Sequence, residues 1–399
     1  MLSSLASHQI VHLTELSNMT RILDAAVLGA GIAGSSLAKA LADKGWETLL
    51  LDRQSFPRHK VCGEFLSPEA QGTLQALGIS ESVKSLGPSM IERIRLIFEN
   101  GAEVNIPLPN AAWGLSRYSL DTALHLAAQQ SGVRLQTGTT VTTVRPKGLG
   151  YSIETKQNGE ISSIEARSVI AAWGANKYAG LPGYRPPHSA KPSYMGVKSH
   201  FRGIAMEPVV ELYFFRGGYL GLCPIEGGLV NASALLARDA FANAGKTILT
   251  IMNAAARRNP RLNGKLALAE PVHGSQAAVA PVHLNHTPLA WDQLPLLGDA
   301  GAMIPPLCGD GMSMALRSAA LCAPLADRYL KGNLSMTGWE HAYTRSIKRE
   351  FAGPLRWGSF LQWLFHMPTV SSWLPNAARL APPVAQGLLK ATRLKPFQM

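Results

Sequence analysis

Cysteine is scarce in this chain. Cys62, Cys223, Cys308 and Cys322 are the only four in 399 residues, and none sits in a C-x-x-C or Cys/His ligand spacing. That excludes a disulfide framework and a zinc site as organising devices, and a reducing, cytoplasmic setting is expected. No run of 18 apolar residues occurs, so a membrane-spanning helix is excluded on length. The first 23 residues lack a basic stretch followed by an apolar core; they read as a loose tail, or as an extension ahead of a start at Met19. Internal repeats and low-complexity segments are absent. Charged residues make up only 16% against 46% apolar, which describes an ordinary globular chain with a slightly greasy surface. The length leaves room for two or more domains.

What is present starts with Ala25-Ala26-Val27-Leu28, an apolar strand running into Gly29-Ala30-Gly31-Ile32-Ala33-Gly34 and then a helix-forming stretch. In such a G-x-G-x-x-G turn, Gly29 permits the tight exit from the strand. Gly31 lets phosphates approach the backbone, and Gly34 lets the helix pack close to the sheet. Helix N–H groups then face the anion. A second apolar strand, Thr48 to Leu51, ends in Asp52, 18 residues beyond Gly34, where a ribose-binding carboxylate is expected, with Arg53 beside it.

Further along, Ser67-Pro68-Glu69-Ala70 reads as a helix start with Ser67 as N-cap. Hairpins are expected at Asn100-Gly101 and Asn158-Gly159, with a helix from about Ser119 to Ser131 between them. From Lys177 to Leu284 the texture changes to short strands rich in aromatic and β-branched residues, the signature of an antiparallel sheet. A second glycine cluster follows, Gly298-Asp299 and then Pro306-Leu307-Cys308-Gly309-Asp310-Gly311-Met312, with an acid at a strand end and a glycine turn opening a helix. Asp310 is an N-cap or an acid by position.

With both clusters in place the chain resembles the FAD-dependent oxidoreductases of the geranylgeranyl reductase and para-hydroxybenzoate hydroxylase superfamily. The resemblance covers about residues 24 to 330, and its second glycine block matches the family's second FAD fingerprint. Pro57-Arg58-His59-Lys60-Val61-Cys62-Gly63-Glu64 is similar to the P-x-x-K-x-C-G segment of the reductase branch, in which the cysteine and glycine lie near the isoalloxazine. Ser116-Arg117-Tyr118-Ser119-Leu120-Asp121 is similar to the R-x-x-L-D helix start whose arginine reaches the FAD.

The resemblance implies an α/β two-domain flavoprotein. A Rossmann-like FAD domain spans 24–176 and 285–340, an inserted antiparallel substrate domain spans 177–284, and residues 91–110 contribute to the substrate side. Gly29, Gly31, Gly34, Asp52, Arg53, Lys60, Arg117, Gly298, Asp299, Pro306, Gly309, Gly311 and Met312 would hold FAD. Cys62, Gly63 and Glu64 would line the reacting face, and His200, Tyr213, Tyr219 and Pro224 the substrate. NADPH or NADH is the implied electron donor, and no metal is called for.

Two departures stand out. Hydroxylases of the superfamily carry an Asp-Gly pair where this chain reads Ala172-Trp173-Gly174, which puts their NADPH route in doubt. The prenyl reductases' Y-x-W-x-F-P motif reads Tyr219-Leu220-Gly221-Leu222-Cys223-Pro224 here, so a geranylgeranyl substrate does not carry over. The halogenase motif W-x-W-x-I-P is missing. The expected reaction is hydride transfer between flavin N5 and a lipophilic, unsaturated substrate of terpenoid or polyketide type. Its rivals are oxygen-dependent hydroxylation and a flavin-binding partner protein without turnover.

The net charge of +12 is uneven: residues 341–399 hold eight Lys/Arg against Glu350 alone. Phe351, Trp357, Phe360, Leu361, Trp363, Leu364, Phe365 and Trp373 share this stretch at helical spacing. It reads as a helical cap cut into short pieces by prolines, or as a surface that meets a membrane or an acyl carrier protein. No nucleic-acid module accompanies the charge, so no nucleic-acid partner is expected.

Overall fold

The computed structural model describes residues 22–175, 180–184, 193–282, 284, 287–366 and 382–397. The expected N-terminal tail up to residue 21, Trp373, Pro368 and Pro375 lie outside the described residues.

The strand Leu23–Leu28 is wholly apolar apart from Asp24 and buries both faces, which suits the middle of a parallel sheet. It pairs in parallel with Thr48–Leu51 on one side and with Glu160–Ala171 on the other. Arg134–Gln136 extends the first edge in parallel; Gly150–Gln157 and Thr140–Lys147 extend the second edge antiparallel, giving six strands. The strand Thr140–Lys147 gives no apolar alternation in the sequence, because its residues are mostly exposed at the sheet's rim. The helix Ile32–Ala42 buries Leu37, Ala38 and Leu41 on this sheet and packs against the long helix Gly311–Leu330. Both glycine clusters therefore end at the same carboxyl edge, and Leu296 continues the sheet by bridging to Ala171.

The second sheet has nine strands. Tyr194–Arg202, Val230–Ala237, Gly218–Pro224 and Val209–Phe215 form its centre. The expected hairpin Ser89–Ile97 and Glu103–Gly114 adds to it, with Ser89–Ile97 parallel to Val209–Phe215. Phe65–Leu66, which directly follows the Cys62-Gly63-Glu64 segment, forms the last strand. One face of this sheet packs Val197, Phe201, Tyr213, Phe215, Leu220 and Leu236 under the helices Ile248–Ala256 and Pro260–Leu266. The other face carries Lys198, His200 and Asn231 and turns toward the first glycine unit, by the period-two alternation of strands.

The helix near residue 119 runs from Arg117 to Gln130, and Ser116 caps it by accepting the Ser119 N–H at 3.1 Å. Ser67 does not cap the next-expected helix, which starts only at Ala70 and has no side-chain cap. Its hydroxyl donates instead to Asp310 Oδ1 at 2.5 Å.

The C-terminal stretch is less broken than its prolines suggest. Met336–His366 is one 31-residue helix with Pro354 inside it. Trp339, Tyr343, Ile347, Phe351 and Leu355 fall four residues apart and bury against the first unit, each contributing about 1.5–3 kcal/mol of apolar burial. That packing offsets the backbone hydrogen bond a helical proline forfeits. The outer face leaves Trp357, Phe360 and Trp363 exposed.

Candidate active site

The first glycine loop is braced from Asp52, whose Oδ2 accepts the Ala30 N–H at 2.8 Å. A Cβ on Gly34 would lie 1.9 Å from the Gly29 carbonyl oxygen, and one on Gly29 would lie 2.4 Å from that of Ala172. These two glycines are demanded by packing. A Cβ on Gly31 would meet nothing nearer than Arg117 Nη2 at 3.8 Å, so this position opens onto space rather than protein. No side chain caps the helix that begins at Ile32, leaving its N–H groups free for an anion.

Three cations surround that opening. Arg117 is buried and grips Asp121 through two hydrogen bonds, 2.8 and 2.7 Å. Burial opposes its charge, but Asp121 outweighs this and the guanidinium is held above its ordinary value. The cost of burial draws Arg58 and Lys60 down, with the Arg117 charge adding to it, while Asp52 and Asp121 oppose at Arg58 and Asp299 and Asp121 oppose at Lys60. A cluster of mutually repelling cations beside a glycine cradle and a free helix end is chemistry for a diphosphate. Among the described residues Arg58 Nε, His59 Nδ1 and Trp173 Nε1 are buried without a partner, and a Cβ on Gly63 would meet nothing within 4 Å. The residues present therefore fit a bound dinucleotide along this face.

The second cluster completes the cradle. Gly298 turns with φ +56° beside Ala33, so Asp299 stands near the first loop, within reach of the Lys60 and Arg117 charges. Gly309 adopts φ +70° against the Phe65 ring, Gly311 opens the long helix and Met312 packs beneath it. Pro306 and Arg53 are exposed at the rim. Asp310 occupies the N-cap position without making a cap bond. It is buried, accepts from Ser67, and at its other oxygen accepts the Leu394 N–H at 3.1 Å.

The Cys62-Gly63-Glu64 segment lies between the two units. Asn231 Nδ2 donates to the Cys62 carbonyl at 2.9 Å, and the Leu115 N–H donates to the Glu64 carbonyl at 2.9 Å. Glu64 takes a left-handed backbone, φ +57°, which costs a non-glycine residue about 1–3 kcal/mol and persists only where its surroundings insist. They do so through the side chain. Glu64 Oε1 accepts from Lys198 Nζ at 2.6 Å and from the Arg117 N–H at 2.9 Å, and Oε2 lies 2.7 Å from His200 Nε2. Lys198 Nζ is also 2.8 Å from His200 Nε2.

Glu64 and Lys198 are fully buried and His200 nearly so. Burial alone would push the Glu64 carboxyl up, but the His200 hydrogen bond and the Lys198 charge win and hold it below its ordinary value. Burial pushes the Cys62 thiol up despite Arg117, so Cys62 is a thiol rather than a thiolate at neutral pH.

The structure thus joins Cys62, Glu64 and His200 and adds Lys198 and Asn231. Tyr219 lies on the same sheet face as His200, its buried hydroxyl near Cys308 and without a partner among the described residues. Tyr213 is on the opposite face, under the helices, with its hydroxyl on Glu211 at 2.7 Å. Pro224 ends its strand with its carbonyl against Gly114, the residue paired with Phe65 just after Glu64.

A family model described as an FAD binding domain matches residues 23–335, and the chain belongs to that family. It is an FAD-dependent oxidoreductase of the geranylgeranyl reductase and para-hydroxybenzoate hydroxylase superfamily. It is 28% identical to digeranylgeranylglycerophospholipid reductase 1 of Methanothermobacter thermautotrophicus, over 77% of this chain and 78% of the relative. It is 27% identical to a menaquinone reductase of Mycolicibacterium smegmatis, over 76% of each. A solved flavin-dependent brominase shares the fold, with TM-score 0.76 at 19% identity over 93% of both chains.

Proposed function

We propose that this protein reduces a carbon–carbon double bond in a lipophilic, polyisoprenoid- or polyketide-like substrate, with NADPH or NADH as the external donor. FAD, when bound, supplies the hydride from its N5. Gly31, Arg58, Lys60 and Arg117 would hold its diphosphate, Asp52 its ribose end, and Asp299 with the helix at Gly311 its ring end.

The observation that carries the reading is the clamped Cys62-Gly63-Glu64 segment. It presents a thiol and an open glycine edge to the cradle while its back is fixed by Asn231, Lys198 and His200. A neutral thiol can give a proton to carbon, which reduction of an alkene requires and halogenation does not. The missing W-x-W-x-I-P motif and the two reductase relatives point the same way.

The apolar face beside this segment, with Phe98, Tyr194, Phe214, Tyr219 and Leu235, suits a hydrocarbon chain. A substrate of that kind resides in bilayers. Trp357, Phe360 and Trp363 form an exposed row, ring centroids 5.8 Å apart in each consecutive pair, beside exposed Arg349 and Arg356. Aromatic and basic side chains on one helix face suit an anionic lipid surface, and we assign this row to peripheral membrane contact. No helix among the described residues is long and apolar enough to cross a membrane.

The experiment is anaerobic mixing of FAD-loaded protein with NADPH and NADH, followed by a polyprenyl lipid. Flavin bleaching and then recovery without oxygen supports reduction. Recovery only on admitting oxygen, with oxygen in the product, supports a monooxygenase instead.

A further inference from the structure

His125 follows Arg117 and Asp121 at four-residue spacing on the helix Arg117–Gln130, so the three share one face of it. Its ring is buried, and its Nε2 lies 2.7 Å from the Ala30 carbonyl oxygen. A carbonyl only accepts, so Nε2 carries the proton and donates. Ser35 Oγ donates to the same oxygen at 3.2 Å, and Asp52 Oδ2 holds the Ala30 N–H at 2.8 Å. Phe56 seats the imidazole edge-on, with ring centroids 4.3 Å apart.

These bonds settle the plane of the peptide between Ala30 and Gly31. In a trans peptide the carbonyl and the next N–H point opposite ways. With the Ala30 carbonyl drawn toward His125 and Ser35, the Gly31 N–H points away from them, and it has no hydrogen-bond partner among the described residues. Glycine makes such a plane easy to turn over. Gly31 has φ −80°, and rotating the peptide by half a turn takes it to about +100°, which glycine adopts almost as readily and other residues do not. The turned peptide presents a carbonyl oxygen where the N–H stood, and its dipole then opposes an anion instead of attracting one. The missing Cβ that admits a phosphate thus also leaves the loop free to turn the wrong way.

We propose that His125 is a positioning residue for the cofactor: its hydrogen bond holds the Ala30–Gly31 peptide with the N–H toward the FAD diphosphate and the carbonyl away from it. Packing alone does not ask for this bond. Ser35 already donates to that oxygen, and an apolar side chain would fill the slot beside Phe56 without the cost of burying an imidazole. The proposal rests on the diphosphate seat assigned to Gly31 above and not on the reduction, so it holds whichever substrate the flavin serves.

The test starts from full-length FAD-loaded protein. Flavin fluorescence that returns on dilution gives the FAD affinity, and the thermal midpoint of protein freed of FAD reports the fold itself. His125→Gln keeps an N–H donor on an unbranched side chain, His125→Met removes the donor from one of the same reach, and both suit a helix. His125→Phe is a second donor-free variant that keeps a ring in the slot, so the failure of one to fold leaves the comparison standing. The Met and Phe variants are expected to weaken FAD ~10–100-fold, the worth of one hydrogen bond to a charged group, and the Gln variant to stay within ~3-fold of the unaltered protein. The FAD-free midpoints are expected to match.

Equal weakening by all three variants, or by none, overturns the brace, as does a loss of affinity that only follows a falling midpoint. Gly31→Val separates the brace from the seat. If it binds FAD as tightly as the unaltered protein, the diphosphate seat fails and the brace with it. If it loses FAD while His125→Met keeps it, the brace alone fails.

Discussion

The Leu394 N–H donates to Asp310 Oδ2 at 3.1 Å, so the far end of the chain is tied to the second glycine cluster. The neighbours of Leu394 tighten the joint. The Lys395 carbonyl accepts from Arg317, and the Arg393 guanidinium lies over the Phe65 ring, 5.1 Å from its centroid. Ending the chain after Thr392 is expected to lower FAD retention through gel filtration while leaving most secondary structure intact. Asp310→Ala strips Ser67 of its acceptor and leaves the buried Arg393 Nη1, 3.9 Å away, without this carboxylate, and is expected to cost about 3–5 kcal/mol in urea unfolding.

The glycines of the first loop separate by what they face. Gly31→Val places its side chain in the open cradle, so the expected outcome is a folded protein, normal by circular dichroism, that stays colourless when mixed with FAD. Gly34→Val drives into the Gly29 carbonyl and is expected to lose the fold itself. The contrast between colour and ellipticity checks both.

Stability should fall with acidification for two named reasons. His59 titrates at about 4 in the fold against 6.5 when free, so the unfolded chain binds the extra proton first and stability declines as pH drops from about 6.5 toward about 4. Glu64 is held below 4.5, so its contribution is present above that value and lost as pH falls through the lower folded one. Urea unfolding across this range should show the upper slope flattened in His59→Phe and the lower part retained.

The aromatic row predicts binding to vesicles of phosphatidylglycerol and phosphatidylcholine in flotation. The triple variant Trp357→Ser, Phe360→Ser, Trp363→Ser is expected to stay with the soluble fraction, while FAD content and thermal stability stay unchanged because these side chains are exposed. Binding by the variant equal to that of the unaltered protein counts against the surface.

Much of the cradle was legible in the sequence because it is local: a strand, a glycine turn, a helix and an acid follow one another within about thirty residues. The hairpin at Asn100-Gly101 announces itself by turn chemistry, and the family resemblance assigns residues 91–110 to the substrate side; only its parallel pairing with Val209–Phe215 is not written in the sequence. Lys198 was not legible, although one signal existed, a lysine two residues from a histidine in a strand otherwise buried on both faces. What it meets, Glu64, is 134 positions away and is met only once the sheets close on each other. Ser67 illustrates the opposite error. Its spacing before Pro68 fits a helix cap, but a long-range partner, Asp310, took the hydroxyl. Pro354 marked no break because packing of the helix's inner face overrode a local preference.

The most direct measurement is an anaerobic single turnover of the reduced, FAD-loaded protein with a digeranylgeranylglycerophospholipid, followed by flavin absorbance and product mass. The account predicts that the oxidised flavin spectrum returns without oxygen and that the lipid gains two hydrogens per flavin. A flavin that stays reduced until oxygen enters, yielding a product with an added oxygen or halogen and every double bond intact, would contradict it.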